Sequence, residues 1–306
     1  MEVIYDPKKP LGFSTSAAIG NFDGVHLGHK KIINLLKKIS SKKSSRSCII
    51  TFEPHPQKVL SKKEVSLIVP FEDKIRLLEK LGVDVTVCLK FTKELSKLSA
   101  EDFVKEILVK LLQIKDIVVG PDFMFGNKRS GNAELLQSLG KTYDYETKVL
   151  EPKVINNEII SSSLIRSYIS EGNIQRVNEL LGYRYFIHGN IVEGEKRGRQ
   201  IGFPTTNINS SWELLPKGGV YATYAFIDDK CFQSITNIGY RPTFGQNKLL
   251  IETHIFDFSK NVYGSNINIE FVKRLRDEIK FNSVDDLIAQ IKLDIKDVKN
   301  ILTNNE

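Results

Sequence analysis

Short apolar runs alternate with stretches of helical period along the first half of this chain. Ser16–Ile19 predicts a buried strand, and apolar positions from Leu27 to Ile39 recur at the 3.6-residue spacing of a helix. Ser47–Phe52 predicts a second strand. Glu72–Leu81 predicts a helix closed by Gly82, and Val83–Leu89 a third strand. Ala100–Leu112 predicts a helix opened by Ser99 as N-cap, with Asp102 at the third helical position. Ile117–Val119, ending at Gly120, predicts one more buried strand. This strand–helix–strand order predicts an α/β unit with a parallel sheet, whose ligands bind at the carboxyl ends of the strands.

The pattern changes after Gly182. Tyr185–His188, Tyr221–Phe226 and Asn266–Phe271 predict short strands, separated by turn signals at Gly218–Gly219, Asp228–Asp229, Gly239, Gly245 and Gly264. Strands of this kind predict a small antiparallel barrel or sandwich. Val284–Leu302 returns to a helical period, N-capped by Ser283 with Asp285 and Asp286 in its first turn. The boundary is therefore expected near Gly182–Arg184, giving domains 1–183 and 184–306.

Composition narrows the class. A chain of 306 residues with 41% hydrophobic and 26% charged residues is neither disordered nor collagen-like. No window approaches the ~18 uninterrupted apolar residues of a membrane helix, and Met1–Asp6 does not open a secretory signal. Cys48, Cys88 and Cys231 form neither a disulfide framework nor a paired metal knuckle. A cytoplasmic protein with no membrane partner is expected. The net charge of +7 fits a nucleic-acid binder, an enzyme for anionic substrates, or simply a lysine-rich surface. Most of that charge precedes Arg184. The densest run, Lys37–Arg46, carries no interleaved aromatics and reads as a solvated helix end and loop.

Gly20-Asn21-Phe22-Asp23-Gly24-Val25-His26-Leu27-Gly28-His29 falls where the first strand turns into the first helix. A helix start flanked by glycines lets backbone N–H groups approach phosphate, and two histidines spaced i, i+3 share one face and can donate to its oxygens. The competing reading is a zinc half-site with His55 as a third ligand. A conventional phosphate loop is absent, because Leu135 stands where the leading glycine before Gly140-Lys141-Thr142 would be.

In the second half, Gly198–Asn207 places the oxygen donors Thr205 and Asn207 two residues apart, on one face of an extended segment. By itself this is either a Mg²⁺–phosphate site or an ordinary turn before a strand. Glu252 and His254 share one side of an alternating strand, where Glu252 by itself reads as a surface carboxylate.

Five segments carry a resemblance in the first half: Gly20–His29, Thr51-Phe52-Glu53-Pro54-His55-Pro56, Leu98–Val104, Gly120-Pro121-Asp122-Phe123-Met124-Phe125-Gly126 and Ile160–Arg166. Their order resembles the FMN adenylyltransferase module of prokaryotic bifunctional FAD synthetases, including the HxGH signature of nucleotidyltransferases. In the second half, Gly198–Asn207, Gly219–Ala222, Asn237–Phe244, Glu252–Phe258 and Leu275–Phe281 are similar to riboflavin kinases. The resemblance implies a Rossmann-like nucleotidyltransferase domain, then a six-stranded antiparallel β-barrel with a terminal helix. It implies riboflavin phosphorylation to FMN and adenylylation of FMN to FAD, with Mg²⁺ and ATP. By the same resemblance, His26 and His29 act at the α-phosphate. Gly20, Phe22, Asp23, Gly24, Gly28, Ser162, Ser163 and Arg166 hold ATP, while His55, Asp122 and Phe125 meet the flavin. Phe125 reads equally as core packing. In the kinase half, Gly202 and Pro204 hold ATP, Thr205 and Asn207 bind Mg²⁺, Arg276 meets the flavin and Glu252 is the general base. Three positions depart from the family pattern: Ser163 replaces Thr, Thr206 replaces Ala, and Met124 stands where a polar or basic residue is common. Small-molecule substrates and no nucleic acid are expected, and assembly state is left open. The alternatives are a chain with one activity, or a non-catalytic flavin- or RNA-binding regulator.

Overall fold

The computed structural model describes residues 1–61, 65–194, 197–228, 230–243 and 246–304. Asp229, Phe244 and Gly245, named above, lie outside the described residues. The chain divides into two compact units, Met1–Ser162 and Ser163–Glu306.

The first unit is built on six parallel strands: β1 (Glu2–Tyr5), β2 (Thr15–Ile19), β3 (Arg46–Glu53), β4 (Val85–Lys90), β5 (Ile114–Val119) and β6 (Glu146–Val149), ordered β1-β4-β3-β2-β5-β6. Every residue of β2 is buried, as befits a central strand covered on both faces. Neighbouring residues divide between those faces. Ala17, Ile50, Val87 and Ile117 pack with Val104 and Leu108 on one side, while Ala18, Ile49 and Val118 pack with Ile33, Leu36 and Leu78 on the other. The expected α/β unit is present. Its edge strands β1 and β6 escaped the apolar pattern because each is only half covered.

Helices α1 (Leu27–Lys43), α2 (Pro56–Leu60), α3 (Phe71–Lys80) and α5 (Ala133–Tyr143) accompany the sheet. Between α3 and α5, α4 starts as an α-turn at Ala100–Asp102 and continues as a π-helix over Phe103–Leu111, closing with Leu112 N–H donating to the Ile107 carbonyl at 2.9 Å. A two-stranded hairpin, β7 (Val154–Ile155) with β8 (Glu158–Ile159), precedes Ser162. The lysine-rich run is more structural than expected. It carries α1 through Lys43, whose ammonium bonds the buried Asp116 carboxylate at 2.7 Å.

The second unit begins one residue into α6 (Ser162–Glu171), which α7 (Ile174–Leu181) follows. Asn178 ties α7 to the strands that follow, donating to the Phe271 carbonyl at 2.8 Å and accepting from Tyr185 N–H at 2.7 Å. These helices therefore pack with the barrel, some twenty residues ahead of the expected boundary. The barrel comprises β9 (Phe186–Val192), β10 (Thr206–Asn209), β11 (Gly219–Ile227), β12 (Lys230–Thr243), β13 (Gln246–Ile255) and β14 (Asn266–Arg276). It closes in the order β10-β13-β12-β11-β14-β9 with antiparallel pairing, which decides barrel over sandwich. Helix α8 (Arg197–Gln200) lies between β9 and β10, and α9 (Val284–Thr303) ends the fold.

Inside the barrel, the hydroxyls of Ser234, Thr223, Thr236 and Thr253 link in a buried chain with separations of 2.8–2.9 Å, so none is left unsatisfied. Gly239 corrects the turn expectation. It lies within β12, paired with Leu250 of β13.

Candidate functional site

In the first unit the sheet order reverses direction at β2, which lies between β3 and β5. Segments leaving the carboxyl ends of these three strands surround the topological switch point. They carry Gly20–His29 after β2, the chain to His55 after β3, and Gly120–Phe125 after β5.

His26 is the N-cap of α1, and its Nδ1 accepts the His29 backbone N–H at 3.3 Å. In the neutral ring the proton is then on Nε2, leaving that atom as a donor. The His26 and His29 rings stack with centroids 3.6 Å apart, and Phe22 packs 4.8 Å from His29. His29 Nδ1 is buried and finds no hydrogen-bond partner among the described residues. Burial, with the charges of His26 and Lys74, holds the His29 imidazole well below the ordinary histidine range.

The loop before the helix is tightly held. Phe22 and Val25 adopt φ of +50° and +38°, a strained conformation for a non-glycine residue and most of all for β-branched Val25. Gly24 has φ +76°, and a Cβ there would press to 3.0 Å from Ile68. The Asp23 carboxylate accepts the Ile68 N–H at 3.0 and 3.1 Å and the Val69 N–H at 3.4 Å. This carboxylate therefore anchors the loop. Gly28 gives room to the His26 ring, which a Cβ would meet at 3.0 Å. Gly20 N–H donates to the Ile50 carbonyl at 3.0 Å, and Ser162 Oγ donates to the Asp23 carbonyl at 2.9 Å, bringing Ser162 to this loop.

The other expected residues are less uniform. His55 is buried and caps α2, its Nδ1 accepting the Gln57 N–H at 3.2 Å. Among the described residues no three His, Cys, Asp or Glu side chains converge as a metal set, so the zinc reading of His26, His29 and His55 falls. Asp122 is exposed. Phe125 is core, stacked on Phe123 at 5.5 Å and packed on Phe103 at 5.9 Å. Ser163 is exposed and Arg166 half-buried on α6, within the second unit.

In the second unit, register assembles the site. Asn207 on β10 lies opposite Glu252 on β13, and Glu252 lies opposite Asn237 on β12. The row opens on a cavity of about 380 Å³ that Thr205, His254 and Arg276 also line. Glu252 alternates with buried Ile251 and Thr253, which turns its carboxylate outward. His254 donates from Nδ1 to the Pro204 carbonyl at 2.8 Å, fixing the segment before β10, while Gly202 turns the chain there at φ +88°. Arg276 is clamped by Asp294 of α9, with Nε–Oδ1 at 3.0 Å and Nη2–Oδ2 at 2.6 Å. The departing Thr206 donates to the Thr253 carbonyl at 3.2 Å.

A hard cation needs oxygen donors with space around them, and glycines provide the space. A Cβ on Gly194 would lie 1.9 Å from Asn207 Nδ2, and one on Gly198 would lie 3.3 Å from Thr205 Oγ1. The hydroxyl and amide oxygens thus fit a Mg²⁺ ion completed by phosphate and water. Sequence reasoning missed Gly194, Asp294 and Lys74, and took in Asn237 only as the start of a riboflavin-kinase-like segment. Of the three missed, Lys74 leaves a legible trace, as a lysine four residues before Leu78 on the apolar face of α3.

The chain thus carries a stacked-histidine helix start on a parallel sheet in one unit and a row of polar side chains on a closed barrel in the other. The chain matches the family model for FAD synthetase over residues 11–164 and that for riboflavin kinase over residues 181–302. It is 39% identical to a bifunctional riboflavin kinase/FMN adenylyltransferase of Listeria monocytogenes, across 92% of this chain and 90% of the relative. A Bacillus subtilis protein of the same description is 38% identical, across 94% and 92%. A crystal structure described as a macrolide-efflux protein of Streptococcus pneumoniae superposes with a TM-score of 0.90 at 30% identity, covering 98% of this chain and 99% of that one. The chain belongs to the bifunctional riboflavin kinase/FMN adenylyltransferase family. In the described residues no helix is long and apolar enough to cross a membrane.

Proposed function

We propose that this chain makes FAD from riboflavin in two steps, phosphorylating riboflavin to FMN in residues 184–306 and adenylylating FMN in residues 1–183. The observation that carries the reading is one chain holding two separately built sites: the stacked histidines after β2, and the Asn207–Glu252–Asn237 row on its cavity.

In the kinase step Glu252 takes the proton of the riboflavin 5′-hydroxyl as that oxygen bonds to the γ-phosphorus of ATP and the bond to ADP breaks. Thr205 and Asn207 hold Mg²⁺, which neutralises phosphate charge when bound. Gly202 and Pro204 shape the ATP segment, and Arg276, oriented by Asp294, meets the flavin. In the adenylyl step an FMN phosphate oxygen attacks the α-phosphorus of ATP in line and pyrophosphate leaves. No covalent enzyme intermediate is needed, so the residues position two polyanions and stabilise developing charge. His26 Nε2–H and the His29 ring donate to the α-phosphate. Backbone groups of Gly20, Phe22, Asp23, Gly24 and Gly28 receive ATP, and Ser162 takes its phosphates. His55 and Asp122 flank the flavin, with Phe125 as a packed wall behind them.

The protein works in the cytoplasm on small molecules, without a nucleic-acid partner. The test is chromatography of flavins after incubation with riboflavin and Mg–ATP. FMN followed by FAD is expected. FMN alone would leave a single activity, and salt-dependent RNA binding without turnover would replace the reading altogether.

A further inference from the structure

Lys74 is the unexplained charge of the first unit. It lies on α3 and is only 7% exposed. Its ammonium donates to the Asn21 carbonyl at 3.3 Å and to Thr51 Oγ1 at 3.1 Å, and sits 4.8 Å from the Phe71 ring centroid. Thr51 in turn donates to the same Asn21 carbonyl at 3.2 Å. Asn21 is the second residue of the Gly20–His29 segment, and Thr51 is near the carboxyl end of β3. Two of three N–H donors are thus spent on neutral oxygens, and among the described residues no carboxylate closes on the ammonium within 4.0 Å.

Burying an ammonium without a contacting carboxylate is costly, and an apolar side chain of similar length would avoid that cost. A fold that keeps such a group beside a phosphate-receiving loop gains something other than stability.

We propose that Lys74 is a positioning residue for adenylyl transfer, pinning the loop that carries His26 and His29 to the end of β3 and supplying the fixed positive charge beneath it. The proposal rests on the adenylyltransferase reading above. The titratable groups around Lys74 are Glu53 from β3, Asp23 from the loop, Cys88 from β4 and His29 from α1. Asp23 and Glu53 by themselves would make the floor of the site negative and repel two polyanionic substrates. The ammonium offsets them. Burial lowers its proton affinity while the negative charges of Glu53 and Asp23 oppose that fall. The same charge, together with burial and His26, disfavours protonation of His29, keeping that ring neutral as a phosphate donor.

The test compares wild type with Lys74→Met and Lys74→Arg in the full-length protein. FMN adenylylation is followed at saturating ATP and FMN and across pH, alongside riboflavin phosphorylation and thermal unfolding. Lys74→Met is expected to lower adenylylation kcat about 10–100-fold, with riboflavin phosphorylation unchanged and a melting temperature equal to or above wild type. Its pH profile should lose activity at higher pH on the acid side, because His29 no longer faces a neighbouring cation. Lys74→Arg should recover part of kcat and return the profile toward wild type. Unchanged adenylylation kinetics and pH profile in Lys74→Met would overturn the proposal. So would loss of activity that merely tracks a lowered melting temperature in both variants, which would make Lys74 a structural residue. A wild-type protein that forms no FAD from FMN and ATP would instead sink the adenylyltransferase reading itself.

Discussion

The two halves build phosphate sites by opposite means. In the first unit, a strained loop and a helix start hold the functional atoms at the carboxyl end of a central parallel strand. In the second, the functional atoms sit along the strands of a closed barrel, aligned by register. A loop site depends on whatever pins the loop, here Asp23, Ser162 and Lys74. A strand site inherits its geometry from the ladder and needs only that neighbouring backbone leave room. Substitutions should therefore separate the two activities cleanly.

The largest effect is expected at Glu252. Glu252→Ala should reduce riboflavin phosphorylation about 10³-fold while leaving FMN-to-FAD conversion at the wild-type rate, as read by flavin chromatography. Loss of both reactions in a folded protein would break the comparison. His29→Ala should do the reverse, cutting adenylylation about 10²-fold so that FMN accumulates from riboflavin. A smaller effect tests the idea that space governs the barrel site. Gly194→Ala introduces a Cβ 1.9 Å from Asn207 Nδ2 and should raise the KM for Mg–ATP about tenfold, with adenylylation untouched.

The smallest effect is thermodynamic. The folded-state pKa of His29 lies below its unfolded value of 6.5, so the unfolded chain binds the proton first. Stability of the first unit is then complete above pH 6.5 and declines as pH falls below it, until the folded pKa is passed. Melting curves of His29→Ala should show a shallower loss over that window. An equal slope in both proteins would mean that other groups carry the acid sensitivity.

Much of this is legible in the sequence. Strands β2, β3 and β5 announce themselves through the short apolar runs Ala17–Ile19, Cys48–Ile50 and Ile117–Val119, whose residues are buried on both faces. The amphipathic α9 and its Ser283 cap are equally plain, with Ser283 Oγ accepting the Asp286 N–H at 3.1 Å. Edge strands β1 and β6 were not legible, since half-exposed residues carry no strong period. Gly239 misled for a related reason: a glycine inside a strand and one at a turn look the same along the chain.

The sequence by itself determined the order of the units, the residue types of both sites and, through motif order, the family. Those properties follow from spacing and chemistry that are local to the chain. Only the tertiary structure decided that Asp23 anchors with its carboxylate, that Phe125 is packed in the core, that Asn237 joins the row of Glu252, and that Asp294 clamps Arg276. It also decided that Lys74, fifty-three residues from Asn21, meets that carbonyl beneath the histidine loop. Each depends on which groups meet after the backbone pairs. A side chain's partner is set by strand order and helix packing, which bring together residues whose separation along the chain records nothing of their contact.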